Sequence, residues 1–298
     1  MSAGGKPLYT PFETPYRLSM GLMALKPDEW IEVDDDLAAD LAEKQRLLRA
    51  RHAEVFAALP GSEAGQREVL GLAAAHLCAH FPDLYRRDGR RLHVMVADIH
   101  WDLDDAGLAP LDVAGRLVQE DLCLMQHDGA AWRLTAASLC FPTRWKLADK
   151  IGRPLDEIHD PVPDFADKLA RPVSRFFDRI KTDKPVWRLN WSLIDDPALF
   201  QPEGHGRGDL DPTITSENAG ERLWLRVERQ TLRRLPETGA VLFTIRIHRW
   251  PLSRLAARPE AAGRLAQSIT TMPPAMQRYK SLPVFGEAVR AYLEKYAG

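Results

Sequence analysis

Cysteine is scarce. Cys78, Cys123 and Cys140 are an odd number, widely spaced in apolar settings such as DLCLM and SLCFP. That usage excludes a disulfide framework, and reduced thiols of this kind act as small core residues and suit the cytosol. Long hydrophobic runs are missing as well: no stretch approaches the roughly 20 residues needed to cross a bilayer, and the opening MSAGGKPLYTPF has neither a basic n-region nor an apolar h-region. A cytoplasmic protein with no membrane segment is expected. Charge of one sign is absent too. The 40 Lys and Arg are interspersed with 42 Asp and Glu, and no basic stripe could release counterions from a phosphate backbone, so a nucleic-acid partner is not expected. The sequence has no CxxC pair for zinc, no CxxCH for covalent haem, no Walker A loop, no GxSxG elbow and no GxGxxG after a strand.

What remains is globular composition, with 45% hydrophobic residues in a chain long enough for a sizeable core. Residues 1–33 set Pro7, Pro11, Pro15 and Pro27 among Tyr9, Phe12, Tyr16 and Trp30. Prolines block a helix there while the aromatics supply packing anchors, so this reads as an ordered wrap. Apolar residues at helical spacing predict helices over 36–59 and from 62 to about 80, and the run from Leu92 to Val96 reads as a strand. Two apolar runs flanking His127-Asp128-Gly129 predict a β-hairpin over 121–138 closed by a tight primed turn. Helical segments interrupted by prolines follow over 145–182, then strands over 186–194, 223–232 and 241–249, a polar loop over 201–220 and helices from 252 onward. The whole is an α+β chain expected to form one domain over 1–298: a wrap and helices to about residue 90, a sheet core over about 91–250, and C-terminal helices over about 251–298.

Three strands offer chemistry. The two-residue period puts Trp187, Leu189, Trp191 and Leu193 on one face of the first and Arg188, Asn190 and Ser192 on the other. Likewise it separates Arg226, Glu228 and Gln230 from Leu225 and Val227, and Thr244, Arg246 and His248 from Phe243, Ile245 and Ile247. Side by side, these polar faces would form a surface of charged donors for an acidic or zwitterionic ligand; a solvated sheet face is the plainer account. His159 in GRPLDEIHDPVP is a loop histidine or, with prolines stiffening its backbone, an imidazole held toward a metal or haem iron. His76 and His80, at i and i+4, could chelate a metal or simply end a buried helix. Tryptophans at 132, 145, 187, 191 and 224 could wall a flat cofactor or pack the core.

The run QEDLCLMQHDGAAWRLTAASLCFPTRWKLADKIGRPLDEIHDPVP, followed by RFFDRI, PVWRLNWSL, LWLRVERQTLRRLP and MQRYK, resembles the alpha subunit of the haem-dependent oxidative N-demethylases over about residues 9–285. The resemblance implies a core similar to the PAS sensor domains, a five-stranded antiparallel sheet with helices on one side and further helices added. It implies non-covalent haem b, oxygen-dependent demethylation of a small secondary amine with release of formaldehyde, and flavoprotein partners such as an external flavin reductase. On that footing His159 is the expected axial iron ligand, with His248 and His127 as rivals. Arg188 and Arg226 would hold haem propionates or substrate, Glu228 would attract the protonated amine and accept its proton, Asn190 and Gln230 would orient ligands, and Trp191 would contact the cofactor. The competing reading is a PAS-like sensor or docking module that binds haem or another ligand without turnover.

Overall fold

The computed structural model describes residues 7–204 and 206–297. Its strands, in chain order, are β1 (Met23–Ala24), β2 (Phe56–Ala58), β3 (Tyr85–Asp88), β4 (Arg91–Val94), β5 (Ile99–Asp102), β6 (Asp121–His127), β7 (Trp132–Ser138), β8 (Val186–Ile194), β9 (Trp224–Arg234) and β10 (Val241–Pro251). Seven form one antiparallel sheet in the order β1-β8-β9-β10-β6-β7-β2, and β3, β4 and β5 form a second, small one. The five long strands therefore run 2-1-5-4-3 from β7 to β8, so the middle of the sheet is closed by the last of them, β10. The α+β class expected from the sequence is observed, without a closed barrel.

The hairpin expected over 121–138 forms as β6–β7, and β9 and β10 make a second. The β6–β7 connection is a four-residue loop, Asp128 to Ala131, and not the two-residue primed turn expected. Asp128 N donates to Ala131 O, and the Asp128 carboxylate accepts Ala130 N and Ala131 N at 2.8 Å each. Gly129 at φ +99° supplies the left-handed residue that loop needs. The helix expected over 36–59 breaks at Arg51 after Ala50 and resumes for one turn over His52–Val55, and Phe56–Ala58 then pair with Ala136–Ser138 to become the edge strand β2. An aromatic residue after β-branched Val55 favours extended backbone once a partner edge is within reach. The strand near residue 92 belongs to the small sheet beside the front helices and not to the main one.

Both faces of the main sheet are covered. On one, the front section packs through Trp30, Leu41, Val69, Leu77 and Leu124, and the C-terminal helices Pro259–Thr271 and Gly286–Glu294 pack onto Leu193, Leu225 and Val227. On the other, the segment between β7 and β8, with its helix Ala170–Arg179, packs through Phe177 and Ile180 against Met125, Leu134 and Ile245. That second layer is incomplete over β8 and β9, and a cavity lies there.

Candidate active site

The cavity, of about 340 Å³, has a sheet floor, a roof from the Leu155–Arg179 segment, a wall from residues 11–22 and an end formed by Met276, Tyr279 and Lys280. Register sets the floor: Asn190 lies opposite Glu228 and Arg188 opposite Gln230 across β8 and β9, so all four rise on one face, beside Phe243 and Ile245 of β10. They are linked. Gln230 Nε2 and Asn190 Nδ2 donate to the same oxygen, Glu228 Oε2, at 2.7 and 3.3 Å, and Lys280 Nζ donates to Asn190 Oδ1 at 3.2 Å.

Charge in the cavity is unbalanced. Arg144, Lys150, Arg188 and Lys280 line it, whereas Glu228 is its one buried carboxylate among the described residues; Glu13 and Arg17 stand exposed at the edge. The four cations answer mainly to backbone. Arg144, in the left-handed region at φ +60°, donates to Lys280 O and Leu193 O at 3.0 and 3.1 Å, and Lys150 Nζ donates to Ile158 O at 2.9 Å. Arg188 Nε is buried without a hydrogen-bond partner. Burial accordingly pushes Lys280 down to about 8 and Arg144 down to about 10, and it lowers Arg188 and Lys150 as well, Glu228 opposing the shift on all but Arg144. Burial raises the phenols of Tyr16 and Tyr279 to about 12, so both remain neutral donors at neutral pH.

His159 lines the roof. It ends the helical turn Leu155–Ile158, where its ring nitrogen Nδ1 lies 2.7 Å from Leu155 O, and it stacks on Phe165 with ring centres 4.5 Å apart. A carbonyl oxygen only accepts, so Nδ1 carries the proton and Nε2 keeps its lone pair. Burial drives its pKa down to about 4, so the ring is neutral through the physiological range. The residue is half-buried and lines the cavity.

Of the residues singled out in the sequence, the cavity gathers His159, Arg188, Asn190, Trp191, Glu228 and Gln230. Trp191 arrives at its rim from the other face of β8, with Lys280 Nζ 5.0 Å from its ring centre. Arg226 does not reach the cavity. Its fully buried guanidinium donates to Thr143 Oγ1 and to the carbonyls of Phe141, Pro142, Ala198 and Leu199, which ties two loops to β9 and leaves no donor for a ligand. Arg246 and His248 also lie elsewhere, because Arg246 pairs with Arg229 and His248 with Val227, on the sheet face opposite Glu228. There His248 Nε2 meets Glu32 at 2.9 Å. His127 sits exposed at the end of β6, bonded to Gly129 N and edge-on to Trp132. Both rival histidines are thus outside the cavity.

Sequence reasoning assigned no chemical role to Arg144, Lys150, Tyr279 or Lys280, and Tyr16 entered only as a packing anchor of the wrap. Their signals were the run containing FPTRWKLADK, with Arg144 and Lys150, and the block MQRYK, ending in Tyr279 and Lys280. One further comparison bears on this set: a family model described as haem-dependent oxidative N-demethylase, alpha subunit-like, matches residues 21–290, a span that contains every strand of both sheets and every buried charged group of the cavity. The chain therefore belongs to the haem-dependent oxidative N-demethylase alpha-subunit-like family.

Proposed function

We propose that this cavity holds one haem b without a covalent link and that the chain, a single domain, removes a methyl group oxidatively from a small secondary amine, with oxygen as electron acceptor and formaldehyde as product. The carrying observation is the pairing of a neutral imidazole, its Nδ1 proton committed to Leu155 O, with a cavity lined by four cations and one buried carboxylate, in which Arg188 Nε has no hydrogen-bond partner. Such a histidine would hold a haem iron through Nε2, since the bond at Nδ1 fixes the tautomer and raises the basicity of Nε2. The propionates of a haem are the anions that Arg188, and with it Arg144 or Lys280, lack. Apolar groups fit the flat remainder: Phe165, Leu169, Phe176 and Phe243 line the same space.

When bound, the haem supplies the redox chemistry. The chain supplies position and charge. Glu228, held in place by Asn190 and Gln230, attracts the protonated amine and accepts its proton, so that the nitrogen lone pair becomes available. Lys280, hydrogen-bonded to Asn190, keeps that carboxamide oriented with its Nδ2 toward Glu228. The family's description as alpha-subunit-like supports a multi-subunit enzyme, in which flavoprotein partners deliver or accept electrons. Three free cysteines fit a cytoplasmic setting. The antiparallel five-strand core with a helical segment over one face supports the PAS-like expectation.

The test is spectroscopic first. Protein expressed with haem precursor should show a Soret band that His159→Ala shifts or abolishes while the fold is kept; small N-methyl secondary amines should then yield formaldehyde, with Glu228→Gln lowering turnover by roughly 100-fold, as for loss of a proton acceptor. A well-folded protein without a Soret band would end the haem reading, and the docking module would then be the better account.

A further inference from the structure

The small sheet carries a second constellation that the cavity chemistry leaves unused. His93 and His100 occupy directly opposed positions on β4 and β5, on the outer face, since their neighbours Leu92 and Trp101 pack inward against the front core. Their rings stack with centres 4.0 Å apart and planes 17° from parallel. Asp98, in the turn between the two strands, holds Oδ1 3.0 Å from His93 Nε2. Its backbone sits in the left-handed region, φ 50° and ψ 47°, a conformation that favours glycine, and that conformation carries the carboxylate over the imidazole pair. One ligand atom from each of the three residues lies within 4.8 Å of the others, and no other group of His, Cys, Asp and Glu among the described residues meets that condition.

We infer that His93, Asp98 and His100 form a binding site for one zinc-class divalent metal ion. Two imidazoles and a carboxylate are a ligand set that zinc accepts, with water completing the coordination. Tetrahedral bonds of about 2.0–2.2 Å put donor atoms roughly 3.3–3.6 Å apart; His93 Nε2 and Asp98 Oδ1 are already 3.0 Å apart, and rotation of the His100 ring can bring in the third donor. The histidine pair suggested by helical spacing does not compete. His76 and His80 have ring centres 4.3 Å apart, but no third ligand among the described residues joins them, and His76 is wedged edge-on to Trp30. Bound metal would clip the β4–β5 turn shut.

Calorimetric titration of the purified protein with zinc sulfate tests this. One equivalent should bind; His100→Ala and Asp98→Asn should each weaken binding by at least ~10-fold, and His80→Ala should leave it unchanged. Zinc should also raise the thermal midpoint of the parent protein but not of His100→Ala, since binding to the folded state alone stabilises it. Absence of binding, binding that survives His100→Ala, or binding lost in His80→Ala would each overturn the assignment. None of these readouts involves haem or turnover.

Discussion

The two faces of the main sheet treat buried charge in opposite ways. On the face away from the cavity, Arg246 meets Asp34 at 2.8 Å and Asp40 at 3.1 Å, Gln119 bridges the same two carboxylates, and Glu32 receives Arg229 at 3.2 Å and His248 at 2.9 Å. Burial works to lower Arg246, but the surrounding carboxylates overcome it and the net shift is upward. On the cavity face, Arg188, Arg144 and Lys280 are shifted down, because burial removes water and a single carboxylate replaces little of it. A buried cation with its own acid is a fastener of the fold. One with neither an acid nor a full set of carbonyls, as Arg188 is and Arg226 is not, is left for a further anion to neutralise.

This contrast can be broken at several points. The largest effect is expected from Arg246→Met, which strands Asp34 and Asp40 without a cation and should cost about 3–5 kcal/mol in urea unfolding; a loss below 1 kcal/mol would erase the distinction between the faces. Next is Lys280→Met. In the folded state Lys280 titrates near 8, below the ordinary lysine value of about 10.4, so the folded form disfavours the proton by an amount on the order of 3 kcal/mol. That penalty is fully present below pH 8 and fades as pH rises to about 10.4. The stability of the variant relative to the parent, both without haem, should therefore decline by that amount between those pH values, and a flat difference would mean that Lys280 is not desolvated. Arg188→Met should change haem-free stability by less than about 1 kcal/mol yet weaken haem retention by ~10-fold, worth about 1.4 kcal/mol; equal losses in both would make Arg188 a fastener. Smallest is His127→Ala, expected within ±0.5 kcal/mol and silent in the Soret region, as befits an exposed strand end.

Much of this was legible in the sequence, for a definite reason. Alternation in PVWRLNWSLI and RLWLRVERQTL is a property of each strand alone, so Asn190, Arg188, Glu228 and Gln230 could be placed on common faces before any pairing was known. What alternation cannot supply is phase between strands. Arg246 and His248 form the polar side of β10, but the register that sets Ile245 opposite Gln230 turns that polar side to the far face. Arg226 shares the cavity-side parity of Glu228 and still fails to reach it, because loops between β7 and β8 and after β8 close over its guanidinium. Lys280 enters from a helix 52 positions beyond Glu228, and no local period reports such a meeting.

The wall of residues 11–22 has a consequence for how the protein is made. Tyr16 N is held by Thr271 Oγ1 at 2.9 Å across 255 positions, and β1 is pinned to β8, so the strap finds its seat only after the C-terminal helices exist. Contacts of such separation carry a high loop-closure cost and form late. Floor and roof can assemble while this side of the cavity is still open, which leaves the wall as the last part of the site to close.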